Sequence, residues 1–233
     1  MLVEIYSDIV CPWCYIGQQQ FAEALDLSDH GDEINVEWRA YQLDPRAGTE
    51  PTPVFAAYAK KYGGEDQAAA IIDRMTGAAA GVGLELRLDQ ALRVNTFDAH
   101  RLVFFAHSTD LQWEIERRLM EAYFVEGRNV ADLHTLVELA DDVGLDPMEA
   151  EEFLLSPDGR VEVEAELAGA LERDVMAVPT FFFASQVGIP GAQDSDTFVR
   201  IIDRAVSRLS PEELAGDELN EDGFSEDGFS EDE

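Results

Sequence analysis

The only two cysteines of this 233-residue chain are separated by two residues, in Cys11-Pro12-Trp13-Cys14. An apolar run, Leu2-Val3-Glu4-Ile5-Tyr6-Ser7-Asp8-Ile9-Val10, precedes them and reads as a strand. The segment from Tyr15 to Leu25 that follows reads as a helix. Strand, Cys-x-x-Cys and helix, opening a βαβ pattern, is the sequence form of a dithiol redox site. The spacing explains why. Cys11 falls where the first helical N–H groups lack partners and the helix dipole is positive, which favours a thiolate and lowers its pKa. Pro12 suits the first helical turn, where its missing N–H costs nothing. Cys14 shares that face one turn deeper, shielded from solvent. One sulfur can attack while the other waits to resolve.

Other uses of the pair fit less well. A structural zinc site takes about four N or S ligands, and His30, His100, His107 and His134 show no paired spacing to complete one. No metal site is expected. A purely structural disulfide is also disfavoured, because so short a loop removes little entropy from the unfolded chain.

Charge narrows the partners. The chain has 49 acids against 16 bases, with lysine only at Lys60 and Lys61. Eleven of those acids and none of the bases lie beyond Leu209, so the preceding body still carries a formal charge of −22. No basic footprint exists for nucleic acid. Acidity spread through a lysine-poor body reads as adaptation to high salt, where dissolved ions screen self-repulsion. Its melting temperature should therefore rise along a salt series, with or without the tail from Ser210; a melting temperature indifferent to salt would contradict the reading. Met1 leads straight into strand-like sequence without a secretory pattern, and no segment reaches membrane-spanning length. The expectation is a soluble cytoplasmic protein with no membrane partner, where disulfides are mostly catalytic or transient.

Hydrophobic residues make up 46% of the chain, enough for a substantial core. Ser28 to Glu33 is a polar connection, and Ile34 to Ala40 alternates as a strand. A β-α-β opening of this length favours parallel pairing. Residues 1–52 are thus the first part of an α/β domain, and Pro51-Thr52-Pro53 marks its boundary. Residues 53–156 read as an inserted helical domain. Val54 to Tyr62 and Gln67 to Ala80 are helices divided by Gly63-Gly64, and Thr96 can cap a third running to about His107. Ile115, Leu119 and Ala122 stripe another helix; Leu133, Leu136, Val137, Ala140 and Val143 stripe a further one, capped by Asp132 and closed by Gly144. Residues 157–209 return to α/β. They comprise a helix from Gly159 to Arg173, a strand over Val178 to Phe183, a short partner Val187-Gly188-Ile189, and a helix from Ser195 with Phe198, Ile202, Ala205 and Leu209 on one face. Residues 210–233 form an acidic tail expected to be disordered, with Glu221-Asp222-Gly223-Phe224-Ser225 repeated at once as Glu226-Asp227-Gly228-Phe229-Ser230.

The order of these elements and motifs resembles the DsbA-like thioredoxin superfamily, and within it the cytoplasmic FrnE-like branch. The carriers are Ser7-Asp8-Ile9-Val10-Cys11-Pro12-Trp13-Cys14-Tyr15-Ile16-Gly17, Tyr41-Gln42-Leu43-Asp44-Pro45, Asn95 to Leu102, Ala122 to Gly127, Val178-Pro179-Thr180-Phe181 and Gly191-Ala192-Gln193. The resemblance implies a thioredoxin-like α/β fold, a mixed four-stranded sheet with flanking helices, carrying an inserted all-α domain. It implies thiol–disulfide exchange on protein or small thiol substrates, with no cofactor beyond a redox-active Cys11–Cys14 disulfide. Cys11 is then the attacking thiol, Cys14 the resolving thiol, and Pro179 the facing proline after a cis bond. Pro12, Trp13 and Val178 join Pro179 as substrate-binding candidates, with the Val178 backbone able to pair with an extended substrate. Pro12-Trp13 lacks the histidine of the periplasmic oxidants, which argues against strong oxidising power. No second cysteine pair is present to support isomerase cycling.

His100 shares a helical stripe with Phe97, Phe104 and His107, which predicts burial. The family motif keeps it a candidate for substrate contact or proton shuttling. Trp13 and Tyr15 flank the thiols and are expected to shape the groove. Two other functions compete with exchange. One is small-molecule chemistry similar to 2-hydroxychromene-2-carboxylate isomerases or kappa-class glutathione transferases, which usually carry serine where Cys11 stands and lack a second cysteine. The other is a non-catalytic redox-sensing protein whose acidic tail docks a partner.

Overall fold

The computed structural model describes residues 1–184 and 188–209. Strand β1 (Leu2–Ser7) is the centre of the fold, buried along almost its whole length. It runs parallel to β2 (Asn35–Ala40) on one side and antiparallel to β5 (Thr180–Phe183) on the other, and β6 (Gly188–Pro190) pairs with β5 at the edge. The result is a mixed four-stranded sheet in the order β2-β1-β5-β6. Helix α1 (Pro12–Leu27) makes the crossover from β1 to β2.

Alternation along β5 divides the two faces of the sheet. Phe181 and Phe183 point toward α1, where Phe21 lies 5.3 and 6.1 Å from their rings. Phe198 of α9 (Ser195–Val206) closes this cluster at 4.6 Å from Phe181 and 5.1 Å from Phe21. Phe182 points the other way, edge-on to Tyr6 and under the Arg173 guanidinium just after α8 (Arg160–Glu172). Glu4 is the exception in β1, an acid in a buried strand. Burial pushes its carboxyl up, but hydrogen bonds from Arg173 at 2.7 Å and Arg39 at 3.0 Å outweigh this and hold it below the usual range. Glu166 adds a further contact to Arg39 at 3.3 Å.

Between β2 and α8 the regular structure is helical apart from one small ladder. It comprises α2 (Val54–Tyr62), α3 (Glu65–Ala80), α4 (Phe97–Phe105), α5 (Gln112–Phe124), α6 (Leu133–Asp142) and α7 (Pro147–Leu155). The ladder pairs β3 (Thr52–Pro53) with β4 (Leu92–Arg93). Ile115, Leu119 and Ala122 are fully buried, as their spacing predicts, and the Asp132 side chain accepts from Thr135 N–H to cap α6. These helices do not form a separate core: their buried residues are continuous with those of the sheet and α1.

Several local readings need correction. Thr96 precedes α4, but its hydroxyl makes no capping bond; Asn95 Oδ1 accepts from Phe97 N–H at 2.9 Å instead, while Gln42 holds the Thr96 hydroxyl. Strand β5 begins at Thr180, so Val178 and Pro179 form its approach. Helix α9 ends at Val206, which is buried with Phe198 and Ile202. Val187 and the acidic tail lie outside the described residues.

Candidate active site

The chain leaves β1 at Ser7 and turns through Asp8-Ile9-Val10, with Cys11 N–H donating to Asp8 C=O at 2.9 Å. Cys11 is thereby set as the N-cap of α1, with φ −93° and ψ 111°. Its sulfur takes the place that a serine or aspartate oxygen usually holds, accepting from Cys14 N–H at 3.3 Å. The first turn of α1 carries no acid, so nothing there opposes negative charge on this sulfur. As a thiol, Cys11 donates to Val178 C=O at 3.6 Å.

Both cysteines are free thiols, joined through the Cys14 N–H to Cys11 Sγ hydrogen bond at 3.3 Å. Cys14 has no exposure, and Cys11 is 3% exposed. Burial pushes the Cys14 thiol well up, and the neighbouring Cys11 sulfur adds to this; Asp8 N–H and the Ser7 hydroxyl act in the opposite sense. Cys14 is therefore a protonated group that needs help to become a nucleophile.

Pro12 is buried in the first turn, and Trp13 is the exposed residue of the motif. Tyr15 does not line a groove: it turns inward and stacks on Phe124 at 5.5 Å. Val178 and Pro179 come from across the sheet to face the N-terminus of α1, and the bond between them is cis. Pro179 is packed so closely that a Cβ added at Gly17 would meet its Cγ at 2.9 Å and Ala192 Cβ at 3.5 Å. Gly17→Ala should therefore push Pro179 away from the helix. Overpacking of about 1–3 kcal/mol outweighs the smaller helix-propensity gain. We expect a lower melting temperature and slower disulfide exchange; unchanged values for both would contradict the contact.

His100 is brought behind the thiols, not into an open cleft. It is 3% exposed, and its Nε2 lies 2.9 Å from Tyr41 C=O and 3.5 Å from Asp8 Oδ1. A ring nitrogen that close to a carbonyl carries the proton and donates. Burial pulls the His100 pKa down, but the neighbouring Asp8 carboxylate pushes it above its ordinary value.

Three further groups escaped the sequence reading. Asp8 is buried, accepting from Leu43 N–H at 2.7 Å through Oδ2, while Oδ1 faces His100 Nε2 at 3.5 Å. Glu116 of α5 is 1% exposed and accepts from the Ser7 hydroxyl at 2.8 Å. Burial raises its carboxyl to about 7, against the opposing pull of His100 and Ser7; Asp8 and Glu166 add to the rise. Burial pushes the hydroxyl of Tyr58 in α2 up, with smaller contributions from Tyr62 and Cys11. The signal for Glu116 was available: Gln112, Glu116, Leu119 and Tyr123 share one buried stripe, and an acid at stripe spacing is rare without a purpose.

Glu116 has a consequence for stability. Its folded pKa, about 7, exceeds the ordinary 4.5, so the folded state holds the proton more tightly in between. The resulting stabilisation is full below pH 4.5 and is lost as pH rises through about 7. His100, also raised, acts in the same sense, losing its contribution as pH rises through its folded pKa. Glu116→Gln should remove on the order of 3 kcal/mol of this pH dependence, raising stability at pH 8 relative to wild type. Melting curves from pH 4.5 to 8 check it; parallel profiles for the two proteins would refute it.

Residues 2–203 match the family model described as a DSBA-like thioredoxin domain. A protein of Bacillus subtilis, YwbO, is 29% identical over 202 residues, covering 86% of this chain and 94% of that one. A candidate DsbA oxidoreductase of Streptomyces coelicolor superposes with a TM-score of 0.84 at 34% identity, covering 91% of this chain and 92% of that one. At the level of fold alone, the cytosolic disulfide reductase DsbM of Pseudomonas aeruginosa has a TM-score of 0.62 at 17% identity, covering 90% of this chain and all of that one. A 2-hydroxychromene-2-carboxylate isomerase matches similarly, with a TM-score of 0.63 at 18% identity and coverages of 92% and 98%. Among the described residues, no group of acids, histidines and cysteines is arranged to hold a metal, and no helix is long and apolar enough to cross a membrane.

Proposed function

Since the chain belongs to the DSBA-like thioredoxin domain family, we propose that it is a thiol–disulfide oxidoreductase working through Cys11 and Cys14. Members of this family are generally oxidoreductases. One observation carries the finer reading. The Cys11 sulfur caps the N-terminus of α1 and takes the Cys14 N–H at 3.3 Å, with a second, buried thiol in reach beneath it. At low identity, fold similarity does not separate exchange from isomerase chemistry, because DsbM and the 2-hydroxychromene-2-carboxylate isomerase superpose about equally, at TM-scores of 0.62 and 0.63. The second thiol supports exchange, since a two-sulfur cycle gives it a use.

In that cycle the Cys11 thiolate attacks a substrate disulfide and forms a mixed disulfide. Cys14 then attacks the Cys11 sulfur and releases the substrate; run backwards, the pair oxidises dithiols. Val178 and Pro179 form the wall beside Cys11 against which an extended substrate lies, and Trp13 is its exposed apolar neighbour. His100 supports this site from behind. We place the protein in the cytoplasm because both cysteines serve one redox site and none is committed to a structural bridge; fractionation that found it only outside the cytoplasm would overturn this.

The activity is tested by turnover with dithiothreitol as donor and a disulfide-bonded peptide as acceptor. The expected result is many acceptor molecules reduced per protein, lost in Cys11→Ser. Stoichiometric binding without turnover would instead identify a redox-sensing interaction protein. Isomerisation or glutathione transfer indifferent to Cys14→Ser would identify a small-molecule enzyme.

A further inference from the structure

The β1–β2 ladder is parallel and its last pair is Ser7 with Ala40, so the two chains leave the sheet side by side at their carboxyl ends. One continues into the turn that carries Cys11. The other continues as Tyr41-Gln42-Leu43-Asp44, and the two stay bonded. Tyr41 N–H donates to Ser7 C=O at 2.9 Å, and Leu43 N–H donates to Asp8 Oδ2 at 2.7 Å. Asp8 C=O in turn accepts from Cys11 N–H at 2.9 Å. One residue, Asp8, thus holds Cys11 by its main chain and Leu43 by its side chain.

The loop around Leu43 is fixed on both sides. Tyr41 C=O accepts from His100 Nε2 at 2.9 Å, and Gln42 Nε2 donates to Asn95 Oδ1 at 3.2 Å and to Thr96 Oγ1 at 3.3 Å. Asp44 pairs with Arg93, whose Nη2 lies 2.6 Å from Oδ2. Each neighbour is committed to the fold, whereas Leu43 is left 48% exposed. An exposed leucine alone means little. One presented by a fixed loop, at the carboxyl end of parallel strands where α/β sheets bind ligands, is a contact already prepared. Trp13, in the first turn of α1, is open as well, at 37% exposure.

We propose, resting on the exchange function assigned above, that Leu43 is a specificity-determining residue on which a large apolar side chain beside the substrate's cysteine packs. The favoured substrate class is peptide and protein disulfides flanked by leucine, phenylalanine or residues like them. Because hydrogen bonds already hold the loop, little of its freedom is lost when substrate arrives, and the apolar contact goes into affinity. The contact acts on the part of the substrate next to the disulfide and not on the sulfurs. It is therefore a uniform binding interaction, which shows in KM more than in kcat.

The test compares turnover, with dithiothreitol as donor, on two peptide disulfides that differ only in carrying leucine or serine on both sides of the cysteine. Wild type should favour the leucine peptide by about tenfold in kcat/KM, and Leu43→Ala should cut that preference below about two-fold, the scale of a lost apolar contact. The loss should lie in KM. Alanine keeps the N–H that Asp8 holds, so the loop stays in place, and Leu43→Met should restore the preference. If the alanine variant melts lower than wild type, Leu43→Gln, which keeps the length and loses the apolarity, gives the same reading. Wild type indifferent to the flanking residue, equal slowing of both peptides by Leu43→Ala, or a methionine variant no better than alanine would overturn the proposal. In each of those cases the exchange function stands and only the role of Leu43 falls. If wild type turns over neither peptide, nor the small disulfide of 2-hydroxyethanethiol, the exchange function falls and the proposal with it.

Discussion

Cys14→Ser, incubated with a disulfide substrate, should accumulate a covalent adduct on Cys11, and Cys11→Ser should accumulate none. The asymmetry follows from where α1 begins. Cys11 is the cap, its sulfur held by Cys14 N–H in the positive field of a 16-residue helix. Cys14 is a turn inside, fully buried, with its thiol pushed up by that burial. Removing Cys14 removes the resolving sulfur and leaves attack untouched, so the reaction stops half-way. Removing Cys11 leaves a protonated thiol that substrate does not reach, and turnover should fall by more than about 1,000-fold. Intact-mass measurement after alkylation reads both outcomes. Labelling that found Cys14 modified first, with Cys11 inert, would reverse the assignment.

Arg101→Met should be the most destabilising single change on the helical side. Arg101 has no solvent exposure, and its guanidinium donates to the carbonyls of Phe153, Leu154, Ser156 and Asp158 at 2.7–3.0 Å and to Asp98 at 2.9 Å. It thus satisfies the open C-terminal end of α7 from α4, and it also lies over the Phe153 ring at 5.3 Å. A methionine fills similar volume but donates nothing, leaving the carbonyls of buried Leu154 and half-buried Ser156 without this donor, while Phe153 C=O keeps Ser156. The cost should be about 3–5 kcal/mol, a fall in melting temperature of roughly 10 °C for a domain of this size. A shift under about 2 °C would show that water replaces the lost bonds without penalty. His100 is the preceding residue on α4, so the same variant should also disturb its contact with Asp8.

Much of this was legible in the sequence, and for identifiable reasons. β1, α1 and β2 could be read because one short motif fixes a helix start and the strands beside it have clear hydrophobic patterns. Asp132 and Gly144 bound α6 because capping is local chemistry. What was missed depends on partners distant in the chain. The β3–β4 ladder is two residues per strand, and no local pattern marks a pairing that short. Helix α7 had its signals, Asp146 as N-cap and Pro147 in the first turn, yet a continuous helical reading ran over them. Tyr15 beside Cys14 looked like groove lining because chain neighbours were taken as spatial ones; Phe124, more than a hundred residues on, claims it. The polar set behind the thiols was the least accessible part. Ser7 and Asp8 were visible as motif residues without a role, and Glu116 finds Ser7 only when α5 packs against the end of β1.

The central claim is that Cys11 and Cys14 are one reversible two-electron couple, and a redox titration tests it most directly. The protein is equilibrated across a series of glutathione ratios, quenched with acid, alkylated, and weighed. The account predicts a single transition between a doubly alkylated and an unalkylated form. The ratio of oxidised to reduced protein should change tenfold for about every 30 mV of applied potential, as a two-electron couple requires. Two thiols that remain alkylatable at every ratio, or a glutathione adduct on Cys11 that Cys14 never displaces, would contradict it.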